Sequence, residues 1–173
     1  MEVPCAQCGK PHDIADLEPS LTYPDAYLAI PAAERAESAR ADKNLCVIRP
    51  RDGAGPRYFV RVLVPVQVHG LSRPCRWGIW SEVSGEVFAT VLRLWDDPDQ
   101  CSHPPLQARL ANDLEGYPPT SGLSGIFRFL DVKAIPFFAF DPAVEHPFVD
   151  DVRSGVAPGR VLEWLAPYVH AHG

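Results

Sequence analysis

Residues 57–68 read RYFVRVLVPVQV, and this run decides the fold. Tyr58, Val60, Val62, Val64, Val66 and Val68 fall on one face, with Phe59, Arg61, Leu63, Pro65 and Gln67 on the other. Such strict alternation marks a strand that packs one face against a core. Pro65 has no amide hydrogen to give to a neighbour, so the pattern places the strand at a sheet edge or bulges it there. Arg61 sits among apolar residues and calls for a carboxylate partner, for which Glu82 on the following strand is the candidate.

Working outward, HGLSRP (69–74) turns the chain into CRWGIWSEVS (75–84). Trp77, Ile79 and Val83 alternate there with Gly78, Trp80 and Glu82, which predicts an antiparallel hairpin with the first run. Trp77 and Trp80 lie on opposite faces, so one is assigned to the core and Trp80 to a groove or partner surface. Next, SGEVFATVLRLWDDPD (84–99) predicts a helix. Ser84 is its N-cap, Glu86 suits the positive end of its dipole, and Val87, Phe88, Val91, Leu92 and Trp95 form its stripe. PLQARLANDL, GLSGIFRFL and KAIPFFAFD predict further strands, the first two joined by the turn-rich EGYPPTSG (115–122).

Toward the ends of the chain, NLCVI (44–48) is a strand and Pro31 to Ala41 a short surface helix. HPFVDDVRSG (146–155) opens a helix that stops at Gly155. Its entry is a hydrogen bond from His146, and the Asp150–Asp151 pair is a solvated helix end. A last helix begins near Pro158, with Val161, Leu162 and Leu165 inward, and Pro167 ends or kinks it near Ala166. Strands in clusters followed by helices, without βαβ alternation, predict an α+β domain with a mostly antiparallel sheet and flanking helices. One domain is expected over 1–173, with a knuckle at 1–12, a β-rich core at 44–140 and a helical segment at 145–170.

Composition narrows the function classes. The protein has 173 residues, 46% hydrophobic and 22% charged, with a net charge of −6. Its sixteen basic residues form no run, which argues against nucleic acid as a ligand. No apolar stretch approaches a membrane span, and no secretory leader precedes the first cysteine, so the expected location is the cytoplasm. Nineteen prolines imply short elements and rigid connections.

Cys5 and Cys8 form a C-x-x-C turn followed by Gly9, with His12 four residues on. Two thiolates on one side of a tight turn supply half of a tetrahedral zinc site. His12, nearest in sequence, and Cys46, fixed in a strand, are the residues expected to complete it as structural zinc. Cys46 reads equally as a small buried hydrophobe. An unliganded thiol pair ranks second and redox chemistry third, because no strand precedes the pair. Nucleophile elbows and phosphate loops are absent, SGLSG and GAG having the wrong spacing.

CAQCGKPHD (5–13), NLCVI, YFVR (58–61), WGIW (77–80), LWDDP (94–98), LEGYPPT (114–120) and EHPFVDDVRSGV (145–156) occur in this order. Together they resemble the small bacterial proteins filed as domain of unknown function 2199. The resemblance places Cys5, Cys8 and His12 in the family's first element, Cys46 in its L-C-V-I strand, Arg61 in F-I-R, Trp77 and Trp80 in W-G-V-W, and His146 in H-P. Val62 stands where the family has glycine, Ile135–Pro136 where it has R-P, and Asp151–Val152 where it has E-Q. The resemblance implies no established activity.

The leading expectation is a non-enzymatic domain with a structural zinc, acting through a protein partner on a surface that includes Arg61, Trp80 and His146. Two rivals stay open: an immunity-type protein that neutralises a toxin, and a zinc-dependent hydrolase using Glu145 or His146.

Overall fold

The computed structural model describes residues 18–132 and 134–166 in full, and the backbone alone at 2–4, 11–13 and 167–169. The leading run forms β5 (Arg57–Val66), after β1 (Glu2–Pro4), β2 (Pro11–Asp13), β3 (Ala39–Ala41) and β4 (Leu45–Ile48). It is followed by β6 (Cys75–Val83), β7 (Leu106–Leu110), β8 (Ser124–Arg128) and β9 (Phe137–Phe140). The helices are α1 (Asp25–Leu28), α2 (Ala32–Ser38), α3 (Gly85–Leu94), α4 (Pro147–Ser154) and α5 (Pro158–Val169). No helix among the described residues is long and apolar enough to cross a membrane.

β5 to β9 each pair antiparallel with the next. Four reversals leave β9 running in the direction of β5. The two meet in parallel at Leu63 and Phe137, with Leu63 N–H donating to Pro136 O at 2.9 Å. The α+β sheet expected from the sequence is therefore closed, through β5 to β9, into a five-stranded barrel. β3 and β4 extend it from the other half of β5, where Leu45 to Ile48 pair with Val60 to Arg57.

β5 is thus a central strand, and its register with β6 runs without a bulge from Tyr58–Val83 to Val66–Cys75. Pro65 is tolerated because the odd residues of β5 turn their N–H groups away from β6. Arg61 donates to Asn44 O and Leu63 to Pro136 O. Pro65 is next in that set, past the closing contact, where no donor is required.

Both faces of this hairpin are covered. The valines at 60, 62, 64, 66 and 68 are wholly buried in a core that includes Trp77, Ile79, Phe88, Phe127, Phe138, Phe148 and Trp164. Burying each such side chain contributes about 1.5–3 kcal/mol. The opposite face, Phe59 and Trp80, joins Ala39, Cys46, Ile48 and Ala111 in a second core, against which Ala26, Tyr27 and Ile30 pack. Trp80, expected on a surface, is fully buried.

Ser84 caps α3 as expected, its Oγ accepting from Val87 N at 3.2 Å. The buried stripe of α3 is Phe88, Val91 and Leu94, while Leu92 faces solvent. The helix expected to reach Ala41 ends at Ser38, because Ala39–Ala41 pair with Cys46–Ile48. α5 continues through Pro167 to Val169; a proline so near the end removes only one ladder bond.

Candidate binding site

The chain between β7 and β8, residues 111–123, is a built loop rather than a plain turn. Asn112, almost wholly buried, anchors it. Its Oδ1 accepts from Trp80 N at 2.9 Å, and its Nδ2 donates to Tyr23 O at 3.0 Å and to Asp25 Oδ1 at 2.8 Å. Asp25 Oδ2 accepts from Asp113 N at 2.7 Å. Buried Thr120 donates to Asn112 O at 2.7 Å and accepts from Leu114 N at 3.0 Å. A long loop in a compact domain needs such internal ties, since a buried backbone group without a partner is costly.

This loop faces α5 across a cleft of about 660 Å³. Leu114, Trp77 and Trp164 supply its apolar lining. The indole rings of Trp77 and Trp164 lie 5.5 Å apart, edge to face at 63°. Among the described residues, Asp113, Glu115 and Glu163 line it with carboxylates, against one cation, Arg160. Trp77 is 3% exposed, and its indole N–H has no partner.

One end of the cleft is held by a network that joins LEGYPPT to EHPFVDDVRSGV. Tyr117 Oη donates to Asp151 Oδ2 at 2.5 Å and accepts from Trp164 Nε1 at 3.1 Å. Arg160 lies over the Tyr117 ring, 4.8 Å from its centroid, and its Nε is 3.6 Å from Asp151 Oδ2. Burial, and then the bond to Asp151, push the Tyr117 hydroxyl up to about 12. The bond to Glu163 at 2.7 Å raises the Arg160 guanidinium further, so its charge is permanent. The expected solvated pair therefore divides: Asp150 is exposed, while Asp151 is half-buried and bonded.

The residues singled out in the sequence fall in separate places. His146 caps α4, its Nδ1 accepting from Phe148 N at 3.1 Å, while Nε2 is buried without a partner. Its ring lies 6.4 Å from that of Tyr117. Arg61 does not meet Glu82, which opposes Phe59 and is held by Arg57 at 2.7 and 2.8 Å. Arg61 bonds instead to Ser20 Oγ and to Lys43 O. Tyr117, Arg160 and Asn112 were missed, and Asp151 was read only as a solvated helix end. The signal available was an aromatic Tyr117 inside a segment read as a turn, next to an apolar Leu114 read as the end of a strand.

Of the expected zinc ligands, Cys5 and Cys8 lie outside the described residues. His12 belongs to β2 and pairs with Val3 of β1, so an antiparallel hairpin flanks the thiol pair. Cys46 is wholly enclosed by Phe59, Trp80 and Ile48. Burial, and then the charge of Asp42, push its thiol up to about 12. Among the described residues no three His, Cys, Asp or Glu side chains are grouped to hold an ion.

A family model described as an uncharacterized protein conserved in bacteria (DUF2199) matches residues 4–156. No curated protein and no solved structure matches the chain.

Proposed function

We propose, for a chain that belongs to the DUF2199 family of uncharacterised bacterial proteins, a non-enzymatic binding domain that takes up a basic segment of a protein partner in the cleft between the 111–123 loop and α5. The observation that carries this reading is the lining: among the described residues, two indoles beside three carboxylates and a single cation. Carboxylates attract a lysine or arginine side chain, and the apolar lining beside them receives its methylene stem.

The state of the polar groups supports binding over catalysis. The Tyr117 hydroxyl, at about 12, is a poor acid or base near neutral pH, and Asp151 is occupied by it. Arg160 is fastened to Glu163. His146 uses its Nδ1 to cap a helix.

The test is calorimetric titration with an amidated lysine- and arginine-rich peptide and with an acidic peptide of equal length. The basic peptide binds, and salt weakens it. Glu115→Gln and Glu163→Gln each reduce affinity about two- to fivefold, the contribution of an exposed ion pair. Equal binding of both peptides, or of neither, refutes the reading.

We propose further that Cys5, Cys8 and His12 supply three of the four ligands of a structural zinc ion that staples the N-terminal hairpin, with Cys46 remaining in the core. The donor set supports this, since two thiolates and an imidazole are zinc ligands. Native mass spectrometry of the purified chain tests it: one zinc per chain is expected, and Cys5→Ser abolishes it. Equal zinc content in Cys46→Ala and wild type keeps Cys46 out of the site.

A further inference from the structure

The outer edge of β5 changes partner between two residues: Arg61 N–H donates to Asn44 beside β4, and Leu63 N–H to Pro136 beside β9. Arg61 stands at this fork, and its side chain reaches across Gly78 to Ser20. Gly78 opposes Leu63 in β6, and on its other edge it bonds to the 19–21 segment, with Leu21 N–H on Gly78 O at 2.8 Å and Gly78 N–H on Pro19 O at 2.9 Å. A Cβ on Gly78 would lie 2.6 Å from Ser20 Oγ and 3.0 Å from Arg61 Nη2. The bare backbone at Gly78 is therefore what lets the guanidinium and the hydroxyl meet.

The guanidinium is incompletely used. It carries five N–H donors. Nη2 bonds to Ser20 and Nη1 reaches Lys43 O at a long 3.4 Å, while Nε is buried and has no partner. No carboxylate pairs with Arg61 among the described residues. A half-buried cation with an idle donor is a costly arrangement unless an anion completes it. Arg61 also lines a pocket of about 440 Å³ with Ser20, Thr22, Asp42 and Lys43. Asp42 Oδ1 is already committed to Asn44 N at 2.7 Å and Leu45 N at 2.8 Å. Among the described residues, Lys43 and Arg61 against Asp42 leave one net positive charge on the lining.

We propose that this pocket binds a small molecule through a single carboxylate group, held by the Nη donors of Arg61 with the Ser20 and Thr22 hydroxyls beside it. A planar guanidinium matches a planar carboxylate in two parallel bonds. One net positive charge balances a monoanion and leaves a phosphate dianion in excess, with Asp42 repelling it. The site adjoins the aromatic cleft at Leu21 but draws its polar groups from other residues, and it stands whether or not a peptide binds in the cleft.

The experiment uses the full chain with ¹⁵N-labelled arginine. The Arg61 Nε–H resonance is followed during titration with acetate, with inorganic phosphate and with chloride at constant ionic strength. Acetate is expected to shift it saturably, phosphate to act more weakly, and chloride to leave it unmoved. Thr22→Ala and Lys43→Ala, both outside the two cores, are each expected to weaken acetate binding severalfold with unchanged melting temperature. Arg61→Lys weakens it at least about tenfold, as loss of a bidentate charge-assisted pair does. A shift that is absent, linear in concentration or equal in chloride overturns the site. Phosphate binding as tight as acetate overturns the carboxylate assignment.

Discussion

Tyr117 and Asp151, thirty-four residues apart in sequence, are joined at 2.5 Å through the phenol hydroxyl. This bond ties the 111–123 loop to α4, and the same oxygen receives the Trp164 N–H of α5. Three segments meet on one atom. Tyr117→Phe keeps the ring and its contacts with Phe148 and Arg160 but leaves a half-buried carboxylate and an indole N–H without their partner. The expected cost is about 1–3 kcal/mol. Urea unfolding measures it, and a change below the error of that method contradicts the network's role.

The same oxygen gives the protein a high-pH signature. The Tyr117 hydroxyl is held protonated, up to about 12 against an ordinary value of 10.0. A group raised in the folded state contributes stability that is fully present below its unfolded value and is lost as pH rises through the folded one. Stability attributable to Tyr117 therefore falls between pH 10 and about 12. Absorbance titration of phenolate, wild type minus Tyr117→Phe, reads this directly. A phenol that ionises near 10 contradicts it.

Asn112 is the loop's other anchor. Asn112→Ala removes the acceptor of the buried Trp80 amide and a donor to Asp25. Each buried group left unpaired costs about 1–3 kcal/mol, so the variant loses several kcal/mol of stability along with the shape of the cleft. Asn112→Asp keeps the acceptor but brings a second carboxylate against Asp25, and restores little. Thermal melting of the two variants separates geometry from simple side-chain volume.

The strands, the capped helix α3 and the His146 cap were legible because each is local: alternation, a serine before a helical stripe, a histidine before proline. Barrel closure was not, because it rests on one register pair, Leu63 with Phe137, far apart in sequence. The burial of Trp80 was hidden for a related reason. Alternation says that two faces differ, but not that α1 and β3 return to cover the second one. Arg61 was placed on the correct face with the wrong partner, since Glu82 sits opposite Phe59 and Arg57 reaches it diagonally. The cleft escaped because its residues come from a loop and a helix with no shared periodicity.

Closure of the barrel depends on the bare backbone of Gly125. A Cβ there would stand 2.3 Å from Ala139 O and 2.6 Å from the Phe138 ring. The nearer clash is with backbone of the paired strand, which cannot turn aside. Gly125→Ala is expected to cost about 1–3 kcal/mol or more, the range for overpacking. Because β9 also closes on β5, the Leu63 amide loses exchange protection in the variant. Hydrogen exchange by NMR checks this, and an unchanged Leu63 amide refutes the coupling.

The three described cysteines differ enough in environment to report on the zinc proposal. Cys101 is exposed, whereas Cys46 and Cys75 are buried, their thiols pushed up to about 12 and about 11 by burial first. A thiol reagent attacks the thiolate, so near pH 8 the native chain should react quickly at Cys101 and hardly at all at the buried pair. Cys5 and Cys8, if they grip zinc, are shielded as ligands until the metal is removed. Colorimetric titration should therefore count one fast thiol in the native protein, three after chelation and five after unfolding. Cys101→Ser should lower each count by one. Three fast thiols before any chelator would mean that the first two cysteines hold no ion, and slow reaction of the pair even after chelation would assign their protection to something other than a metal.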